Sequence, residues 1–197
     1  MRERVISEHL QRKHIRLQNF DYSANGAYFI TICTEKRRRI LSRVVGRGLA
    51  PAETSVIECT KWGKIAERQL LLLEERYPYL KIDPYVIMPD HIHAIFILDG
   101  EAAGASPRPT IIDIVCAYKS LTTIACRKNG FSGTLFQASF FDHVIRNQPD
   151  YADIYQYIYD NPIRWRTDKL YAEKTTEERG SLENRMFGKS VIEDEME

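Results

Sequence analysis

The stretch Tyr85-Val86-Ile87-Met88-Pro89-Asp90-His91-Ile92-His93-Ala94-Ile95-Phe96-Ile97-Leu98 decides the fold. It reads as two apolar strands joined at Pro89-Asp90, the second opening on two histidines one residue apart. Strand side chains alternate faces, so His91 and His93 point the same way, with α-carbons roughly 6–7 Å apart. Ile92, Ala94, Phe96 and Leu98 take the other face and are expected to meet a core. Two imidazoles converging from one rigid strand can clamp a metal ion or grip a phosphate. Half-buried strands also carry ordinary histidines, so the pair gains chemical meaning only with partners from elsewhere in the chain.

Around that stretch, 197 residues fit one domain with extensions and can bury a single core. Apolar content of 44% and charged content of 28% are ordinary for a globular protein. No apolar run approaches the ~20 residues of a membrane span. The polar N-terminus lacks the apolar centre of a signal peptide. Cys33, Cys59, Cys116 and Cys126 are scattered without a Cys-x-x-Cys pair, which argues against a zinc knuckle or a disulfide framework. The expectation is a cytoplasmic protein with free thiols and no membrane partner.

The net charge of +1 hides a division. Residues 172–197 hold eight acids and four bases, which leaves 24 bases against 19 acids, a net +5, in residues 1–171. Lys36, Arg37, Arg38, Arg39, Arg43 and Arg47 fall within twelve residues. Such a cluster can neutralise several phosphates, although a single charge run is more often a solvated hairpin.

Taken in order, residues 1–16 form a polar, basic arm containing Arg12 and Lys13. Asn25-Gly26 signals a turn, and residues 27–34, rich in aromatic and β-branched types, form a strand. Ile40, Leu41, Val44 and Val45 suggest a short second strand. Residues 55–77 read as one helix, with Ile57, Trp62, Ile65, Ala66, Leu70 and Leu73 near a 3.6-residue period and Pro78 as the stop. Residues 100–109 form a linker of small residues and proline. Thr110 then caps a helix that carries Lys119 and closes at Asn129-Gly130, just after Arg127 and Lys128. Residues 140–146 form another strand. A last helix starts at Pro149 and runs to Asn161-Pro162. On its wheel Tyr151, Ile154, Tyr155 and Ile158 form the expected core stripe. Tyr157 lies off that stripe, on the side of Asp150, Asp153 and Asn161. Tyr157 and Asn161 are four residues apart, one above the other.

This order predicts an α+β protein, a ferredoxin-like sandwich of antiparallel sheet and packed helices with the histidine pair on a central strand. Residues 17–170 would form the domain and residues 171–197 an acidic tail.

Several blocks also resemble a known family. LQNFDYSANGAYFITICT from Leu17, then VIMPDHIHAIFIL, AYKSLTT, LFQASFFDHVIRN and YIYDNPIRW are similar, in this order, to the REP-associated tyrosine transposases, members of the single-tyrosine HUH (His-hydrophobic-His) endonucleases. The resemblance spans about residues 12–166. It implies a metal-dependent DNA endonuclease or transposase that cuts and rejoins single-stranded or hairpin DNA through a 5′-phosphotyrosine. Tyr157 corresponds to the nucleophile, and His91, His93 and Asn161 to the ligands of Mg²⁺ or Mn²⁺. Ligand chemistry alone favours Mn²⁺, Ni²⁺, Co²⁺ or Zn²⁺ over Mg²⁺, which prefers carboxylates and water. The protein would act near the nucleoid, as a monomer or a homodimer.

A tyrosine phenol, with a reference pKa of about 10, is roughly one part in a thousand ionised at neutral pH, so the chemistry needs a base or a cation nearby. Arg12, Lys13, Lys36, Arg37, Arg38, Arg39, Lys119, Arg127 and Lys128 are the candidate DNA contacts. Phe20, Tyr22 and Trp165 can stack on bases or pack internally. Asp90 can orient a ligand histidine or shape the turn, and His143 is a rival for general acid or base, with a packing or hydrogen-bonding role the favoured reading. A histidine-triad nucleotidyl hydrolase would need a histidine where Ile95 stands. A zinc-stabilised module would need cysteines near the pair. The remaining rival is a DNA-binding protein of the same fold that recognises a repetitive palindromic element without catalysis.

Overall fold

A computed structural model describes residues 20–46, 55–100 and 108–171. The basic arm with Arg12 and Lys13, Arg47, most of the 100–109 linker and the acidic tail from residue 172 lie outside the described residues. The elements are β1 (Gly26–Cys33), a 3-10 turn (Glu35–Arg37), β2 (Ser42–Gly46), β3 (Ser55–Cys59), α1 (Lys61–Arg76), β4 (Leu80–Ile87), β5 (His91–Leu98), α2 (Ile111–Lys128), β6 (Phe141–Ile145) and α3 (Gln148–Tyr171).

Four strands form one sheet in the order β4-β5-β1-β6, antiparallel throughout. With α1 before β4 and α2 before β6, this is the ferredoxin-like βαββαβ arrangement expected from the sequence. The strand carrying the histidines is central. The β2–β3 hairpin is a separate two-stranded ribbon inserted ahead of α1.

The sheet is covered on both sides. Tyr28, Ile30, Ile32, Ile92, Ala94, Phe96 and Leu98 pack against Ala66, Leu70 and Leu73 of α1 and Ile111, Ile114, Val115 and Tyr118 of α2. On the reverse face Phe29, Val86, Met88 and Ile95 pack against Ile154 and Ile158 of α3, with Val44 and Ile57 of the hairpin alongside. Alternation therefore sends Ile92, Ala94, Phe96 and Leu98 to the two-helix side and His91, His93 and Ile95 to the α3 side.

Two elements differ from the sequence-based expectation. Residues 55–59 are a strand, so the helix read over 55–77 begins only at Lys61. Val56 and Ile57 are β-branched and pair with Val45 and Val44, and that pairing outweighs a helical period that Ile57 fits only loosely. Thr60 marks the boundary, its hydroxyl accepting from the backbone N–H groups of Trp62 and Gly63. The last helix does not stop at Pro162 but runs on to Tyr171. An internal proline costs about 3 kcal/mol. Packing beyond it, where the Trp165 ring lies 5.9 Å from that of His91, favours the continuation. Elsewhere the expected elements stand, and the Thr110–Asp113 capping box starts α2 as predicted.

The buried Gly63 fixes how α1 meets the loop after β1. A Cβ there would lie 2.0 Å from the carbonyl oxygen of Leu41, which already accepts from the Thr60 backbone N–H and hydroxyl. Gly63→Ala should therefore cost about 3 kcal/mol, read as a lowered urea midpoint with an unchanged slope. A midpoint within error of wild type would show that α1 shifts without strain.

Candidate active site

The histidine pair sits on β5 opposite β1, with His93 facing Thr31 and His91 facing Cys33. Both imidazoles are buried, 7% exposed for His91 and 4% for His93, and their ring centres are 4.4 Å apart. Each Nδ1 has a partner. Asp90 Oδ1 lies 2.6 Å from His91 Nδ1, and since a carboxylate only accepts, His91 carries its proton there and leaves Nε2 as a lone pair. Thr31 Oγ1 lies 2.8 Å from His93 Nδ1, and when it accepts that N–H, Nε2 of His93 is also a lone pair. Burial above all, then the neighbouring His91 and Arg37, holds the His93 pKa well below the ordinary imidazole range.

This shift has a measurable consequence. The unfolded chain protonates this imidazole near pH 6.5 and the folded chain resists, so the unfolded state binds the extra proton. The stabilisation is complete above about pH 6.5 and is lost as the pH falls below it. The urea midpoint should therefore drop between pH 7 and pH 5, and His93→Gln should drop less steeply; parallel profiles would contradict the assignment.

Tyr157 on α3 reaches the same place from 64 residues away, its hydroxyl 3.5 Å from His93 Nε2. Its ring meets Phe29 edge-on at 6.1 Å and the His93 ring at 5.3 Å, and the Arg164 guanidinium lies 5.6 Å from its centre. Asn161, one turn further, is buried at 7% exposure. This corrects the helical wheel. The inner stripe is Ile154, Ile158, Asn161 and Trp165 at i, i+4, i+7 and i+11, whereas Tyr155 is 42% exposed. The sheet and the hairpin cover α3 on the side of Ile154, Ile158 and Trp165, a rotation that hydrophobicity alone does not reveal in a helix rich in tyrosine.

The residues suit a cation in two respects. Both imidazoles present Nε2 with Nδ1 tied down, the usual arrangement for a ligating histidine, and burial keeps His93 neutral as coordination requires. Among the described residues no three His, Cys, Asp or Glu side chains are placed to hold a metal ion together, so a third protein ligand would be a neutral donor such as the Asn161 amide. Such a donor set implies weak, exchangeable binding.

The basic cluster divides by position. Thr34 N–H donates to Asp90 O and Leu41 N–H to Pro89 O, which pins the loop between them beside His91. Within it Arg37 lies 3.6 Å from Asp90 and the Arg39 guanidinium lies 5.4 Å from the Trp165 ring centre. Arg38 donates to Thr134 O and stands over Phe131, and Lys36 is exposed. Lys119, Arg127 and Lys128 belong to α2, in the layer on the other face of the sheet. Lys119 donates to Ala138 O and Ser139 O, and Arg127 to Gly133 O.

Of the aromatic candidates, Phe20 and Tyr22 pack with Tyr28 on the two-helix side, and Trp165 alone adjoins the histidines. His143 hydrogen-bonds Asp150 at 2.9 Å, tying β6 to the first turn of α3. The sequence reading missed Thr31 and Phe141. Pairing aligns His93, Thr31 and Phe141 across three strands on one face, with Phe141 42% exposed at the sheet edge. Strand alternation would have put both on the right face once the register was known.

No family model matches the chain. It is 28% identical over 177 residues to an uncharacterized protein of Haemophilus influenzae, covering 82% of this chain and 94% of that one. It is 30% identical over 97 residues to the REP-associated tyrosine transposase of Escherichia coli K12, covering 49% of this chain and 53% of the transposase. Its fold matches the structure of a REP-associated tyrosine transposase bound to a REP hairpin with a TM-score of 0.52 at 22% identity, over 76% of this chain and 74% of the other. The sequence match and the shared fold agree: about half of the chain is similar in sequence to a REP-associated tyrosine transposase, and its fold is similar to that of a solved one.

Proposed function

We propose that the protein is a metal-dependent transposase-type endonuclease that cuts and rejoins single-stranded or hairpin DNA through a 5′-phosphotyrosine on Tyr157. The observation that carries this reading is the approach of the Tyr157 hydroxyl to within 3.5 Å of His93 Nε2, beside a second imidazole that also presents Nε2. Attack of Tyr157 Oη on phosphorus forms the tyrosyl ester and breaks the bond to the 3′ oxygen. The phenol gives up one proton and the leaving 3′ oxygen takes one, so the step balances without ATP. The ester keeps the bond energy, and a second 3′-hydroxyl can reverse the attack and join strands. His91 and His93 through Nε2, with the Asn161 amide, are the residues that would hold Mn²⁺ or Mg²⁺. When bound, the cation would supply positive charge at a non-bridging phosphate oxygen.

The surroundings support a DNA substrate. Arg37 and Arg39 stand beside His91, where they can neutralise phosphates flanking the scissile one. Trp165 at one end of the site and Phe141 at the other offer ring surfaces for unpaired bases. The solved relative's hairpin makes hairpin DNA the first substrate to try. Among the described residues no helix is long and apolar enough to cross a membrane.

The test is an end-labelled hairpin with single-stranded flanks, incubated with the protein and Mn²⁺ and then denatured. A labelled band at the mass of protein plus DNA is expected. Hairpin binding without any adduct, across a panel of flanking sequences, would leave the non-catalytic DNA-binding reading in its place.

A further inference from the structure

The loop between β1 and β2 is more than a row of cations. Its two ends are fastened to the turn that precedes His91: Thr34 donates from both its N–H, at 2.9 Å, and its hydroxyl, at 3.0 Å, to Asp90 O, and Leu41 N–H donates to Pro89 O at 3.0 Å. Between these anchors the backbone is unusual. Lys36 and Arg37 both adopt positive φ, 55° and 52°, a region that costs a non-glycine residue about 1–2 kcal/mol. Two consecutive residues held there imply a requirement on where the chain must point. What that backward turn achieves is visible at Arg37. Its guanidinium comes to 3.6 Å from Asp90 Oδ1, the same oxygen that accepts from His91 Nδ1 at 2.6 Å.

We infer that Arg37 is a positioning residue for His91, holding the Asp90 carboxylate against Nδ1 so that the imidazole keeps one tautomer and presents Nε2 to the site. Asp90 is nearly buried, and rotation of its carboxylate towards solvent would release the His91 ring. The inference assigns Arg37 a role different from a phosphate contact, and it rests on the proposed function only where it speaks of a cation. Two effects of Arg37 on a bound cation oppose each other. Its charge repels the ion, while its hold on Asp90 orients the ligand. The Arg37 side chain is 41% exposed, so water and salt weaken both effects, but the pull on Asp90 acts across 3.6 Å at a carboxylate only 12% exposed. Orientation should win.

The experiment uses the full chain as wild type, Arg37→Ala and Arg37→Lys, each first checked for an unchanged thermal midpoint. In the metal-free protein, imidazole nitrogen NMR should show His91 as the Nδ1–H tautomer in wild type, a mixture in Arg37→Ala, and a mostly restored single form in Arg37→Lys. Calorimetric titration with MnCl₂ should then show about three- to tenfold weaker binding in Arg37→Ala, at or below the lower end of what loss of a partner to a ligating histidine costs. An unchanged His91 tautomer in Arg37→Ala overturns the inference, as does Mn²⁺ binding equal to or tighter than wild type. If wild type itself takes up no Mn²⁺, the cation reading of the site fails, and the tautomer measurement still decides the role of Arg37. A variant that keeps tautomer and Mn²⁺ affinity but loses hairpin binding, with a shallower salt dependence, would make Arg37 a phosphate contact only.

Discussion

Tyr157→Phe is expected to abolish the protein–DNA adduct, lowering its yield by at least about a thousandfold, to the level of a no-enzyme control, because no other group replaces a nucleophile that must bond to phosphorus. The substitution removes one oxygen and little else. The ring keeps its edge contact with Phe29 and its place under Arg164. The lost hydroxyl sits 3.5 Å from His93, at the limit of a hydrogen bond, so stability should change by less than about 1 kcal/mol. Hairpin affinity should therefore match wild type in a binding assay while the denatured gel shows no shifted band. The comparison is informative because Tyr151, Tyr155 and Tyr159 lie on the same helix. Adduct surviving in Tyr157→Phe would move the nucleophile to one of them or remove the mechanism.

His91→Ala should lower adduct formation by a similar factor for a different reason. It takes away one of two imidazoles and with it most of the affinity for Mn²⁺, so calorimetry should register little or no uptake. The variant also leaves Asp90 without its donor in a nearly buried setting, which costs about 1–3 kcal/mol. His91→Gln, which retains a donor near Asp90, separates the two effects. It should recover most of the stability and little of the cleavage. Hairpin binding should survive in both variants, since Lys36, Arg38 and Arg39 are untouched. Cleavage at wild-type rate in His91→Gln would show that this imidazole is structural.

Much of the site was legible before any coordinates. The His91–His93 spacing states its geometry directly, because a strand has a period of two whatever it packs against. Thr110 with Asp113 announces α2, since a capping box is satisfied within four residues. Tyr157 was singled out by its block and by its distance of four from Asn161. Family resemblance supplied the pairing of that helix with the histidine strand, and the 3.5 Å approach is the physical form the pairing takes.

Other features were decided by contacts between residues far apart in the chain. Ser55–Cys59 became a strand because β2 lay ready to pair with it, a preference of the ribbon and not of the five residues alone. Helix α3 passes Pro162 because packing at Trp165 outweighs one missing hydrogen bond. Its inner face takes in Asn161 because the covering surface, not the hydrophobic pattern, sets the rotation of a helix rich in tyrosine. Thr31 could not be recognised until register placed it opposite His93, nor Arg37 until a loop at positive φ carried it back to Asp90. Strand periodicity and the family resemblance thus marked the candidate residues on this chain. Tertiary structure decided which of their neighbours hold them ready, because hydrogen-bond partners of buried groups are chosen by strand register and loop path, and neither is written in any short stretch of sequence.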